Sequence, residues 1–213
     1  MKNTVVLNGY EYTVYDMGSV VGTGWLVSEK AERDIKTQIN AGGESRKADD
    51  HGGHLFPTCL NGAGDSFFNV FAQNEKLNMG DMKSWELSEK ALLENGCKIY
   101  SERMACYNEN SSRPESFLLY DSIFFSDGTS TKVGAEFRNC NPEFAYDTND
   151  AFECSVAEYH KCDLQSIKDA KNYAKELSAY NNLDSYIFEN SMKATFNSPC
   201  NVSYENDMEN FGT

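Results

Sequence analysis

The sequence predicts an α+β fold, in which an antiparallel sheet and a compact strand–loop–helix segment are followed by an acidic, helical C-terminal extension. Short β-rich runs alternate with strong turn signals at the N-terminus, which is typical of antiparallel strands. Residues 82–95 have the apolar periodicity of an amphipathic helix. After Cys140 the chain becomes acidic and rich in Asn. We therefore expect a first domain at 1–139 and an extension at 140–213 that packs on it.

The N-terminal residues 4–27 predict a β-meander. Its β-rich runs are 5–7, 10–15 and 20–27, and Asn8-Gly9 and Asp16-Met17-Gly18 separate them. Such dipeptides favour tight turns because Asn and Gly tolerate positive φ.

The middle of the chain predicts loops, one short strand and one long helix. Residues 28–48 are polar, with a helical turn expected near 31–39, and His54-Leu55-Phe56 is expected to open a strand. The helix at 82–95 has an apolar side and is expected to end at Gly96. We expect Asn78 to lie at the start of this helix.

Three further strands and a second helix follow. Residues 98–105 and 116–125 are predicted to pair, and another strand is expected at 132–137. The second helix is expected at 164–180. The apolar side of this helix would consist of Ile167, Ala170, Ala174, Leu177 and Tyr180. Residues 184–213 are assigned no secondary structure.

Composition limits the function classes. No apolar run is long enough to span a bilayer, and the N-terminal apolar run is too short for a signal peptide. The net charge of −14 argues against nucleic-acid capture by bulk electrostatics. The charge is uneven, with 11 basic against 15 acidic residues in 1–104 and 8 against 18 in 105–213. Residues 1–104 should therefore repel a polyanion such as nucleic acid less strongly than residues 105–213 do.

Seven cysteines are widely spaced and form no Cys-x-x-Cys pair. This spacing is typical of neither a zinc site nor a small disulfide scaffold. We expect mostly reduced thiols.

The most informative segment contains two of the three histidines, at 51 and 54, followed by Asn78. We expect Gly52-Gly53 to form a bend from which His54 projects. A neutral imidazole can accept a proton from water, and an amide oxygen is a ligand for a hard divalent cation. Together they are the parts needed for metal-assisted phosphodiester hydrolysis. The rate is then expected to fall below about pH 6.5, where an unperturbed imidazole protonates.

An ordered set of motifs resembles the DNA/RNA non-specific endonucleases of the ββα-metal (His-Me finger) group, in particular nuclease domains of bacterial secreted polymorphic toxins. The resemblance spans roughly residues 5–125. Its segments, with their spacing, are Asp-His-Gly-Gly-His-Leu at 50–55, Gly-Ala-Gly-Asp at 62–65, Asn-Val-Phe-Ala-Gln at 69–73, Leu-Asn-Met-Gly at 77–80, Trp-Glu at 85–86 and Arg-Pro-Glu-Ser-Phe at 113–117.

The resemblance implies a ββα-metal finger and assigns roles to its residues. His54 would be the general base, Asn78 would hold Mg²⁺ (or Mn²⁺ in its place), and Glu86 would act on metal-bound water. The supporting residues would be Asp50, His51, Gly53 and Asn69, and Arg46 and Arg113 would bind phosphate.

Simpler interpretations of several residues stay open at this point. Asn78 could be a helix N-cap, Glu86 an exposed helix glutamate and His51 an exposed residue. Ordinary surface solvation suits Arg46, Lys47, Arg103 and Arg113 as well as phosphate contact does.

The resemblance therefore implies a metal-dependent, sugar-non-specific endonuclease acting on DNA and/or RNA, as a bacterial toxin or effector domain with a possible cognate immunity protein. We expect no membrane association, and either a cytoplasmic location or export by a non-classical toxin route. The alternative is a catalytically weak module that binds a protein partner through its acidic second half.

Overall fold

The computed structural model describes residues 3–15, 18–141 and 164–197, with side chains as far as residue 182. The fold is α+β, as predicted. The strands are β1 (Asn3–Leu7), β2 (Tyr10–Val14), β3 (Val20–Trp25), β4 (Asp50–His54), β5 (Val70–Asn74), β6 (Lys98–Cys106), β7 (Ser116–Phe124) and β8 (Ser130–Arg138). The α-helices are α1 (Ile35–Asn40), α2 (Glu75–Met79), α3 (Asp81–Glu94) and α4 (Leu164–Asn197), and 3₁₀ turns occupy Gly43–Ser45 and Thr58–Leu60.

Six strands form one antiparallel sheet in the order β1-β2-β3-β6-β7-β8. The predicted meander is its first half, and Asn8 and Gly9 make the first turn with φ of 51° and 88°. Along β6 the buried residues alternate with more accessible ones, as the two-residue period of a strand requires. One face of the sheet therefore supplies the core.

A second, two-stranded sheet pairs β4 with β5. The structure corrects two predictions here. His54 ends its strand instead of opening it, and Gly52 and Gly53 lie in regular register opposite Ala72 and Phe71, with no positive φ. The glycines are needed for space. An added Cβ would lie 2.5 Å from the Gln38 Cα at Gly52 and 1.9 Å from the Gln73 Oε1 at Gly53.

Buried polar contacts connect the β4–β5 pair to the large sheet. Arg113 donates from Nε and Nη2 to the two carboxylate oxygens of Asp50, at 2.7 and 2.8 Å. Asn139, at the end of β8, accepts from the Asn74 backbone N–H and donates to the Ala72 carbonyl. The strand that carries His54 is thus held at its base by groups from distant parts of the sequence.

Two helices follow β5 where the sequence predicted one helix start. Asn74 caps α2 by accepting from the N–H groups of Lys76 and Leu77. Gly80, with φ −101° and ψ −101°, then separates α2 from α3. The chain leaves α3 through Gly96 at φ 81°, the left-handed conformation expected for a helix end.

The α4 helix is longer than the predicted 164–180. Contacts divide the chain into the units Met1–Leu177 and Ser178–Thr213, and α4 begins in the first and continues into the second. Within the first unit, Ile167, Ala170 and Ala174 join the core, as their spacing predicted. Tyr180, in the second unit, is 62% exposed, contrary to its predicted place on the apolar side.

The boundary between 1–139 and 140–213 stays a prediction, since 142–163 and 198–213 lie outside the described residues. Within the described chain, the cysteines at 59, 97, 106 and 140 are free thiols. No helix of the described part has the length and apolar character needed to cross a membrane.

Candidate active site

His54 lies at the end of β4 with 7% of its surface exposed. Its Nε2 is buried and has no hydrogen-bond partner among the described residues. Burial, with smaller contributions from the charges of Arg33 and Lys83, lowers the pKa of His54 from 6.5 to about 4. The imidazole is therefore neutral near pH 7, with a nitrogen available to a reacting water molecule.

Arg33 reaches this site from the segment before α1. Its Nε donates to the Thr58 Oγ1 at 3.0 Å, and its backbone forms a bridge with Gly64. A Cβ at Gly64 would lie 2.1 Å from the Glu32 carbonyl oxygen, so glycine permits this close approach. No sequence motif distinguishes Arg33, because only the folded loops bring its charge within range of the histidine.

Glu86 lies on α3 and is 9% exposed, so the exposed interpretation of this residue is wrong. Burial raises the pKa of Glu86, and the charges of Lys83, Arg103 and Arg33 oppose that rise. Lys83 Nζ lies 3.1 Å from Glu86 Oε2. The charges of Arg33 and Lys83 act on both His54 and Glu86, and we call these four residues the site cluster.

Asn78 lies in the last turn of α2 and is half-buried. It caps neither helix, because Asn74 caps α2 and Gly80 holds the cap position of α3. No hydrogen bond of its side-chain amide occurs within the described residues. The α2 helix contacts β4, β5 and α3, the elements that carry His54 and Glu86. The amide has no hydrogen bond within the described part of the chain and could therefore accept a ligand.

These residues fit a hard divalent cation that keeps most of its water. The described part of the chain has no group of three His, Cys, Asp or Glu side chains that could hold a metal. Mg²⁺ does not need one, because it is commonly held by one or two protein oxygens and several waters. The amide of Asn78 would supply one direct ligand, and the buried carboxylate of Glu86 would accept a hydrogen bond from metal-bound water.

Asn69 shapes the loop after His54. It is fully buried, accepts from the Phe56 N–H at 2.7 Å, and donates to the carbonyls of Phe56 and Ala63. Its amide thus replaces backbone pairing where β4 has ended. Asn69 therefore ties the loop together, and its supporting role in the site stays a prediction.

His51 lies apart from the site. Three positions before His54 on the same strand, it projects to the opposite face of β4. Its side chain is 44% exposed, with Nε2 3.8 Å from Glu75 Oε1. This placement favours the interpretation of His51 as an exposed residue. It does not support the role in catalysis that was predicted for His51.

The arginines predicted to bind phosphate have structural contacts instead. Arg113 is 8% exposed and engaged with Asp50, and Arg46 donates to the carbonyls of Gln38, Ala41 and Asp50. These contacts favour a structural role for both residues over the predicted phosphate contact. Neither interpretation of Arg103 was right, because it is fully buried rather than solvated or accessible to phosphate.

A buried polar network connects the residue after His54 to α3 and to the large sheet. Arg103 donates to Glu89 and, at 2.6 Å, to the carbonyl of Leu55, the residue after His54. Trp85 Nε1 donates to Glu89 Oε1 and Asp121 Oδ2, each at 3.0 Å. The network links β4, α3 and the large sheet, and the sequence patterns did not reveal it.

A strand pair followed by helices, with a buried, neutral histidine at the end of the first strand, is consistent with the ββα-metal type of nuclease fold. Comparison with known families agrees. A family model for the DNA/RNA non-specific endonucleases matches residues 2–123, more than half of the chain. The protein belongs to this family, as the motifs indicated. It is therefore a nuclease whose substrate is nucleic acid, in a family that is generally dependent on divalent metal.

Proposed function

We propose that this family member is a Mg²⁺-dependent endonuclease that cleaves both DNA and RNA, with His54 as general base and Asn78 as metal ligand. The observation that carries the proposal is the buried Nε2 of His54, which has no partner among the described residues. A buried polar atom without a partner requires an explanation, and in a site of this composition the explanation is a reacting water.

His54 begins the reaction in this proposal. Its neutral imidazole accepts a proton at Nε2 from a water that attacks the phosphorus. The exposed guanidinium of Arg33 contacts a non-bridging phosphate oxygen, where negative charge accumulates. Glu86 holds water in the site through its carboxylate.

Asn78 would hold the metal directly, and Glu86 would contact its water ligands. Bound there, Mg²⁺ supplies a positive charge that stabilises the pentacoordinate phosphate and the leaving oxygen. Mn²⁺ is expected to substitute, since it accepts oxygen ligands too, whereas Zn²⁺ prefers Cys and His ligands that the described site lacks.

The test is digestion of plasmid DNA and of a single-stranded RNA by the purified protein, with Mg²⁺, with Mn²⁺ and with excess chelator. We expect endonucleolytic cleavage of both substrates in either metal and none in chelator. Cleavage of only one substrate would disprove the lack of sugar specificity, and full activity in chelator would disprove metal dependence.

A biological role as a bacterial toxin or effector domain, with an immunity protein as partner, is also proposed. It rests on the motif resemblance at residues 50–86. Induced expression in a bacterial host should stop growth, and the His54→Ala variant should not. Growth unaffected by an active enzyme would contradict the toxin role without affecting the nuclease assignment.

A further inference from the structure

Lys83 has a position that the reaction above leaves unexplained. It lies in the first turn of α3, five residues after Asn78, and its ammonium lies 3.1 Å from Glu86 Oε2. The Lys83 side chain is 37% exposed, whereas that of Glu86 is 11% exposed. The partly accessible ammonium of Lys83 is therefore paired with the buried carboxylate of Glu86, which the proposed metal site needs.

The charge of Lys83 acts on three elements around the site. It adds to the lowering of the pKa of His54 at the end of β4, and it opposes the rise in the pKa of Glu86 on α3 and of Cys59 in the 3₁₀ turn. The Lys90–Glu94 ion pair on the same helix is different from the Lys83–Glu86 pair. Its two charged atoms are 3.7 Å apart, and both side chains are well exposed.

A divalent cation at Asn78 would compete with this ammonium. Its water ligands need an acceptor, and the Glu86 carboxylate is already paired with Lys83. Two cations near one carboxylate repel each other, and partial burial strengthens that repulsion. Metal binding should therefore displace the flexible Lys83 side chain from Glu86.

A displaced Lys83 has a second anion to bind. Lysine is a common phosphate ligand because its ammonium is a compact charge on a flexible stem. The protein carries a net charge of −14, and Arg46, Arg103 and Arg113 are engaged in contacts within the described part of the chain, so they do not compete with Lys83 for this role. The substrate phosphate would be the anion nearest to the displaced side chain.

We propose that Lys83 pairs with Glu86 in the metal-free protein and moves to a phosphate of the nucleic acid when the divalent cation binds. This inference rests on the proposed function and adds a residue that couples metal binding to substrate binding. It predicts opposite effects of one substitution, which a merely structural lysine would not produce.

The experiment measures Mn²⁺ binding without nucleic acid, by electron paramagnetic resonance of the free ion, and KM for plasmid DNA in saturating Mg²⁺. Lys83→Met should bind Mn²⁺ about 3–10-fold more tightly, because the competing charge is gone. Its KM should rise about tenfold through loss of a charged contact. Lys83→Arg should restore both values towards wild type, and Lys98→Met, an exposed lysine at the start of β6, is the matched control.

Unchanged or weaker Mn²⁺ binding in Lys83→Met, relative to Lys98→Met, would overturn the inference. So would an unchanged KM. Failure of wild-type protein to bind Mn²⁺ at all would overturn the metal-dependent function itself, so the two failures are distinguishable. Far-ultraviolet circular dichroism of each variant establishes that α3 is intact.

Discussion

His54 acquires its properties as a base from its surroundings at the end of β4. Burial and two nearby cations lower its pKa to about 4, below the unperturbed value used in the sequence prediction. The neutral, proton-accepting form is present above this pKa and is lost as the pH falls through it. The fall in rate should therefore occur near pH 4 rather than below pH 6.5.

The pH prediction is checked by NMR titration of the His54 imidazole in the metal-free protein, alongside the pH profile of kcat/KM. A folded-state pKa near 6.5 would contradict the burial and charge described for this site. Because the unfolded chain binds a proton at His54 more readily, stability should also decrease from pH 6.5 towards pH 4. Folding at each pH is therefore monitored by circular dichroism.

Asn78 and Glu86 should differ in their response to metal concentration. Asn78→Ala removes the proposed direct ligand, whereas Glu86→Gln removes the negative charge of the proposed acceptor for metal-bound water. Loss of such an outer partner typically costs about 10–100-fold. We expect a larger shift in the Mg²⁺ requirement for Asn78→Ala, measured as activity against Mg²⁺ concentration. A wild-type Mg²⁺ requirement in Asn78→Ala would remove Asn78 from the site.

At the level of the elements, the β4–β5 pair depends on its attachment to the large sheet. The Asp50 side chain is fully buried against Arg113. Removing one partner of a buried ion pair typically costs about 3–5 kcal/mol, because the other charge stays buried without compensation. We expect a loss of this size in the free energy of unfolding of Asp50→Ala, measured with urea.

Glu94→Ala is the control for that prediction. It breaks the exposed Lys90–Glu94 pair, and exposed pairs contribute about 0–1 kcal/mol. Equal effects of the two substitutions would show that the Asp50–Arg113 contact does not hold the finger. A loss confined to Asp50→Ala would support the described attachment.

The elements also show which parts of the fold the sequence could predict. Turn signals such as Asn8-Gly9 act locally, so the meander was predicted correctly. Gly52 and Gly53 resemble a turn locally, but pairing with β5 places them in a strand, and Gln38 and Gln73 leave no room there for a side chain. The short helix α2 was not predicted, because only one helix start, at Asn78, was expected where Gly80 separates two helices.

The candidate site was predictable only where its residues belong to a local sequence motif. His54, Asn78 and Glu86 lie within a motif of 33 residues whose order is visible in the sequence. Arg33 and Lys83 became visible only in the fold, since neither has a sequence context that distinguishes it from a surface cation. The two arginines expected to bind phosphate have buried partners from distant segments.

At the level of the whole molecule, the net charge of −14 restricts how nucleic acid is bound. Each neutralised phosphate contributes about 0.9 to the slope of log affinity against log salt for duplex DNA. With Arg33 and Lys83 as the phosphate contacts, the slope should be close to 2 in magnitude. The check is binding of duplex DNA by His54→Ala in fixed Mg²⁺ at several salt concentrations.

A much steeper slope would contradict this description of the whole molecule. It would require a basic surface that the site cluster does not provide. A matched measurement on Lys83→Met should lower the slope by about one unit, since one phosphate contact is lost. An unchanged slope would place the phosphate contacts elsewhere.

The most direct test of the central claim is the single-turnover rate of plasmid cleavage in saturating Mg²⁺ for His54→Ala and His51→Ala. Loss of a general base commonly lowers the rate about 10²–10⁴-fold. We expect a decrease of that size in His54→Ala, with folding and Mn²⁺ binding retained. The exposed His51 lies on the other face of the strand, so His51→Ala should keep the wild-type rate. An undiminished rate in His54→Ala would contradict the assignment of His54 as the base.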